Sequence, residues 1–193
     1  AGCPGGAPGD TVPNWITSVF VPELATALAW QWDKVAIPYW KDMAAYAKNV
    51  GVREIGLENH AYAVVYNVET MLRLREAAGE IVGANFDPSH YVWMGGDPLA
   101  AIRKLNGAIF NVHAKDTRID RSNAGPNTTI ETKTPDRFAE RSWNYVTLGH
   151  GHDEAWWQSF MVELRVAGYD DVLSIEHEDF VTDPIEGVAK TVD

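Results

Sequence analysis

Glu58, Asp87, His113 and Glu176 sit at or near the ends of four short apolar runs, EIGLE, GANFD, FNVHAKD and VLSIE. Together they offer three carboxylates and one imidazole. Carboxylates that converge repel one another and hold on to protons unless a cation compensates them, so a divalent ion is the natural partner. Oxygen donors with a single imidazole suit Mn²⁺ or Mg²⁺ first, with Co²⁺ or Zn²⁺ next; no CxxC or HExxH pattern argues for a structural zinc or a zincin. Each residue also has a plainer explanation. Asp87 precedes Pro88 and could open a helix, His113 could be a hydrogen-bonded core histidine, and the two glutamates could be solvated strand ends. Spacing favours a joint role. The four lie 29, 26 and 63 residues apart, and one βα unit takes about 30 residues, so the last gap fits two units.

The elements that must position them follow the same alternation. The opening AGCPGGAPGDTVPNW holds too much Gly and Pro for a helix or strand interior and reads as loop. The periodicity of PYWKDMAAYAKNV predicts a helix over 38–50 with Met43, Tyr46 and Ala47 on its apolar face, stopped by Gly51. REIGLENH is then a strand and NVETMLRLREAAG a helix with a terminal Gly; IVGANFDPSH is a strand, DPLAAIRKLNG a helix opened by Asp-Pro, and AIFNVHAKD a strand. A polar insert covers roughly 121–141, after which NYVTLGHG, the helix DEAWWQSFMVELRVAG and the strand DVLSIEHED complete the series. Five strands in an α/β arrangement with a parallel sheet are expected, and the carboxyl ends of such strands share one face, where sites form.

Other residues fall close to those strand ends. His90, three residues after Asp87, could donate to a substrate oxygen or cap the following loop. His60, Lys115, Asp116 and Arg118 lie near the same mouth, although Lys115 and Asp116 could simply pair with each other. Gly149-His150-Gly151-His152 would let backbone approach a ligand closely, or form a turn into the helix that starts at Asp153. Of the eight Trp, Trp15, Trp30, Trp32, Trp40, Trp93 and Trp143 fall in or beside predicted loops. Only Trp93 is placed near substrate; Trp156 and Trp157 are read as helix packing.

Composition excludes more than it reveals. With 193 residues, 46% hydrophobic and 22% charged, the chain can bury a core, and a single domain over 1–193 is expected. A net charge of -11 without clustered Lys and Arg disfavours nucleic acid, and the acidic excess is read as ordinary solubility. Cys3 has no internal disulfide partner, and there is no long apolar span or charged-then-apolar leader; a cytoplasmic location and no membrane partner are expected.

The blocks LENH, NFDPSH, NVHAKD, GHGHDEAW and GYDDVLSIEHED, in this order, resemble the signature blocks of the sugar phosphate isomerase/epimerase family. This is the xylose isomerase-like TIM-barrel group that includes inosose dehydratase-like proteins and ketose 3-epimerases. The resemblance implies a divalent metal, Mn²⁺, Mg²⁺ or Co²⁺, held by Glu58, Asp87, His113 and Glu176 at the ends of barrel strands four, five, six and eight. It also implies Glu58 and Glu176 as acid and base, and His90 in contact with substrate. Trp93, Lys115, Arg118 and His150 complete the expected substrate contacts. Eight βα units need about 250 residues, so the resemblance implies an incomplete barrel of strands four to eight, with Cys3-Pro4-Gly5 resembling the loop after strand three. The implied activity is isomerisation or epimerisation of a sugar, sugar phosphate or cyclitol through an enediolate, with a homo-oligomer as an expected state. The alternatives are a dehydratase or lyase with the same site, an apurinic endonuclease-like metal phosphodiesterase, and a partner-dependent non-catalytic subunit.

Overall fold

A computed structural model describes residues 2–192, which form two compact units. The first runs to Asn85 and includes Ala108–Phe110; the second comprises Phe86–Gly107 and the chain from Asn111 onward.

In the first unit the Gly- and Pro-rich opening is loop, as expected. Helix α1 (Pro22–Trp30) then continues through a wider π-helical turn (Gln31–Ala36) into α2 (Ile37–Asn49). Helix α1 shows no polar-apolar period to read, because only Glu23 and Thr26 of its nine residues are polar. The widened turn lies just before Pro38, which has no N–H for the next helical turn. Helix α2 matches expectation, but its buried positions are Ala44 and Ala47, whereas Tyr46 is 64% exposed. Strands β1 (Ile55–Glu58) and β2 (Val82–Phe86) pair in parallel with Glu58 level with Asn85. Between them runs α3 (Val68–Ala78). A capping box of Asn67 and Thr70 starts α3, and Gly79 at φ 103° ends it.

In the second unit two Asp-Pro steps begin short helices. Asp87 caps α4 (Pro88–Trp93) and Asp97 caps α5 (Pro98–Lys104), each aspartate accepting a backbone N–H two residues on. Strand β3 (Ile109–Ala114) enters this unit from Asn111 and pairs in parallel with β6 (Leu173–Ile175), His113 level with Ser174. The parallel strands follow the order β1-β2-β3-β6. Helix α7 (Glu154–Val166) buries Phe160 and Leu164, and Phe160 stacks on Phe86 at 6.2 Å. Helix α8 (Pro184–Val192) follows β6. No helix among the described residues is long and apolar enough to cross a membrane.

One expected strand is placed differently. Residues around Asn144 were read as a fifth member of the parallel series, but β5 (Trp143–Val146) pairs antiparallel with β4 (Asp116–Ile119), a strand the sequence did not reveal. The polar stretch between them, with α6 (Arg121–Asn127) and a 3₁₀ turn (Pro135–Glu140), returns the chain on itself, so the two strands form a ribbon. Trp143 accordingly lies in a strand and Trp30 and Trp32 in helical turns, while Trp40 falls within α2, inside the helix predicted over 38–50.

Asp179 ties this ribbon to the segment after β6. Its carboxylate accepts from the N–H and hydroxyl of Thr147, both at 2.9 Å, and from the N–H groups of Val181 and Thr182 at 2.8 and 3.1 Å. Burial opposes its ionisation, yet these donors hold its pKa below the ordinary range. A carboxylate with a depressed folded pKa contributes stability above its unfolded value and loses it as pH falls. Asp179→Asn should therefore lower unfolding free energy by about 2 kcal/mol at neutral pH, with the deficit shrinking as the pH drops below about 4; urea denaturation across pH measures both.

Candidate metal centre

Strands β3 and β6 end side by side, and alternation along each puts every second residue on the same face. On β3 that sequence is Asn111, His113 and then Lys115; on β6 it is Ser174, Glu176 and then Glu178. The Glu176 N–H donates to the Ala114 carbonyl at 3.2 Å, which extends the pairing one residue past the strand and fixes where the glutamate emerges. His113 Nδ1 lies 2.5 Å from Glu176 Oε2. Asp87 comes from the turn between β2 and α4, with Oδ2 at 3.8 Å from His113 Nδ1. Within the second unit, Asp87, His113 and Glu176 thus each offer a ligand atom within 4.8 Å of the others. Glu58 lies in the first unit, on the last residue of β1. Its register partner Asn85 stands two residues before Asp87.

Asp87 opens a helix with one oxygen and turns the other toward the cluster. Oδ1 accepts the Ser89 N–H at 2.8 Å and caps α4, while Oδ2 faces His90, His113 and Lys115. The cap fixes the carboxylate's plane and so aims its second oxygen.

Lys115 does not pair with Asp116. Its ammonium, 2% exposed, lies 2.6 Å from Glu178, 3.1 Å from Glu176 and 3.7 Å from Asp87. It sits 4.3 Å above the ring of Tyr145. Burial disfavours its charge, but Asp87, Glu178 and Glu176 outweigh that and raise its pKa. The hydrogen bond from His113, reinforced by Lys115, holds Glu176 down to about 2, so it is ionised at neutral pH. Glu178 and Tyr145 were not singled out from the sequence. Glu178 could have been found by the two-residue period beyond Glu176; Tyr145 could not, because its strand was assigned to the wrong sheet.

Asp116 serves the turn instead. Its Oδ2 accepts the N–H groups of Gly149, Gly151 and His152 at 2.9–3.0 Å, and Oδ1 meets His152 Nδ1 at 2.7 Å. The glycine turn does approach an anion closely, but that anion is the protein's own carboxylate. A Cβ on Gly151 would fall 2.4 Å from the Thr117 carbonyl, so only glycine fits.

The remaining expected substrate contacts are dispersed. His90 is fully buried, its ring between Asp87 and Tyr145. Trp93 is 7% exposed and stacks on Trp143 at 4.7 Å. Arg118 is exposed, its guanidinium 5.4 Å from the Phe138 ring centroid, and His150 is exposed on the glycine turn. His60 lies in the first unit in the loop after β1.

The donor chemistry fits a divalent cation. Asp87, Glu176 and Glu178 present three carboxylates to the single ammonium of Lys115, which leaves two negative charges to compensate. Hard oxygens with one imidazole and no thiolate are the ligand types of Mn²⁺, Mg²⁺, Co²⁺ or Zn²⁺.

A family profile described as xylose isomerase-like TIM barrel matches residues 7–193. YfiH of Bacillus subtilis (strain 168), a protein described as uncharacterized, is 46% identical over 195 residues, covering 100% of this chain and 62% of its own length. The chain thus spans less than two thirds of that relative. Among solved structures, the IolI protein with a bound zinc atom superposes with TM-score 0.61 at 20% identity, over 84% of this chain and 55% of its own. The 3-keto-D-glucoside 4-epimerase YcjR of E. coli does so with TM-score 0.57 at 13% identity, over 82% and 51%. At these identities the structural likeness concerns the fold.

Removing the ammonium should expose the repulsion it offsets. Lys115→Met keeps the apolar stem but leaves Asp87, Glu176 and Glu178 uncompensated. Loss of a partner from a buried ion pair costs about 3–5 kcal/mol, and the partial exposure of the two glutamates reduces this to about 2 kcal/mol. The deficit, measured by urea denaturation, should shrink in acid as the carboxylates take up protons.

Proposed function

Because the chain belongs to the xylose isomerase-like TIM-barrel family, we propose that it isomerises or epimerises a sugar, sugar phosphate or cyclitol by moving a proton next to a carbonyl. The observation that carries this reading is the convergence of Asp87, His113 and Glu176 at the ends of β2 and β3 and beyond β6. In this reading Glu58 is the fourth ligand, assigned from its place at the end of β1, level with Asn85. The epimerase named for YcjR is consistent with such chemistry on this fold.

These residues would hold a divalent cation, which would supply Lewis-acid stabilisation for the negative charge of an enediolate. The protein's own groups handle the proton. Glu176, as the carboxylate, accepts it from the carbon beside the carbonyl. Glu58, entering as the carboxylic acid, donates its own proton to the substrate, and exchange with solvent restores both groups for the next turnover. Return to the opposite face of the same carbon gives an epimer; return to the neighbouring carbon gives an isomer. Lys115, 3.1 Å from Glu176, offsets part of its charge.

Two measurements test the reading. Added Mn²⁺ should raise the melting temperature, and EDTA should reverse the rise; 100-fold excess over Kd corresponds to about 2.7 kcal/mol. In D₂O with Mn²⁺, a panel of keto-sugars and keto-cyclitols followed by proton NMR should include one that takes up deuterium beside its carbonyl. Glu176→Gln should slow that uptake at least about 100-fold. Undiminished exchange in the variant removes Glu176 from proton transfer, and exchange without any divalent ion removes the metal.

A further inference from the structure

The β4–β5 ribbon lies against the turn that carries Asp87. Thr117 of β4 donates its hydroxyl to the Ser89 carbonyl at 3.1 Å, and its register partner on β5 is Tyr145. The Tyr145 hydroxyl lies 3.0 Å from His90 Nδ1, with the two rings edge to face at 5.7 Å. On its other nitrogen, Nε2, His90 faces Asp87 Oδ2 at 3.4 Å in surroundings where neither side chain is exposed at all.

For a neutral His90, these two neighbours fit one arrangement of protons. A neutral imidazole has one N–H and one bare nitrogen. A carboxylate oxygen only accepts, so the nitrogen facing Asp87 must carry the hydrogen. Nδ1 is therefore the acceptor, and the Tyr145 hydroxyl must donate to it. The same tyrosine places its ring under the Lys115 ammonium, and its far side rests edge-on against Trp143, which is stacked on Trp93.

We propose that Tyr145 is a positioning residue for the candidate metal centre: its hydroxyl fixes the His90 tautomer with the proton on Nε2, and His90 in turn fixes Asp87 as a ligand. The proposal rests on the metal-centre reading above. It gives the ribbon a role, namely to present one hydroxyl to the histidine behind the carboxylate. Outer partners of this kind orient ligands, and their loss weakens metal binding by about 10- to 100-fold.

Tyr145→Phe tests it, because the ring and its contacts with Lys115 and Trp143 remain while the hydroxyl goes. Two readouts apply to the whole chain: Mn²⁺ affinity by titration calorimetry, and the His90 ring by long-range ¹H–¹⁵N spectra of histidine-labelled protein, assigned with His90→Gln. The unsubstituted protein should show His90 as the Nε2–H tautomer, and Tyr145→Phe should lose that single pattern and bind Mn²⁺ about 10- to 100-fold more weakly. An unchanged affinity in the variant, beside normal binding by the unsubstituted protein, overturns the role of Tyr145 and leaves the metal centre standing. Should Tyr145→Phe fail to fold, the spectrum of the unsubstituted protein decides, since an Nδ1–H tautomer overturns the proposal. Absence of Mn²⁺ binding to the unsubstituted protein overturns both readings.

Discussion

Mutual repulsion among Asp87, Glu176 and Glu178 is the constraint around which the second unit is organised. Two like charges about 4 Å apart cost roughly 4 kcal/mol at the effective dielectric of a protein surface, so three carboxylates meet only where cations are built in. Lys115 supplies one, from a position that is itself nearly closed to water. Its placement requires β3 to run on past His113 for two residues with the same facing, and β6 to be followed by two glutamates on alternate residues. The Tyr145 ring under the ammonium stabilises the charge that burial would otherwise oppose.

The acidic balance of the chain turns out to have more than a solubility role. Asp87, Asp116 and Asp179 are all buried, and each accepts backbone N–H groups that would otherwise lack a partner. Asp116 gathers three such groups from the glycine turn, and Asp179 links β5 to the segment after β6. Glu131 does the same within the insert, accepting from the N–H groups of Thr132, Lys133 and Ser142. Internal carboxylates thus stand in for regular hydrogen-bond ladders where the chain is irregular.

The sequence singles out Asp87, His113 and Glu176 because each stands at or near the end of an apolar run, and the structure brings these three together within the second unit. The helices α3, α5 and α7 were legible from their period and their caps. Helix α1 was not, since it is apolar almost all round and so shows no alternation. The ribbon was missed for a different reason. The residues NYV have the composition of a strand, but pairing direction depends on what precedes them, and β4 had been absorbed into the end of β3. With β4 hidden, Lys115 and Asp116 looked like neighbours free to pair. In fact consecutive residues of an extended chain point to opposite sides, and each serves a different cluster. His90 illustrates the limit of residue type alone: its spacing suggests a substrate contact, but only the fold reveals that its ring is enclosed between Asp87 and Tyr145.

Between Ile119 and Trp143 the chain makes a long excursion whose two ends are held together by strand pairing, by the Asp120 N–H on the Ser142 carbonyl, and by Asn123 reaching the Ala139 and Arg141 carbonyls. Its outer part, around Asn127 to Ile130, is largely exposed. A loop closed at its neck transmits little of its length to what lies beneath, because each doubling of a flexible loop adds only about 0.6 kcal/mol of closure entropy. The length of the excursion is therefore a weak constraint, whereas Thr129, whose carbonyl accepts from the Trp143 indole, and Glu131, which accepts from the Ser142 N–H, tie its far half to the ribbon.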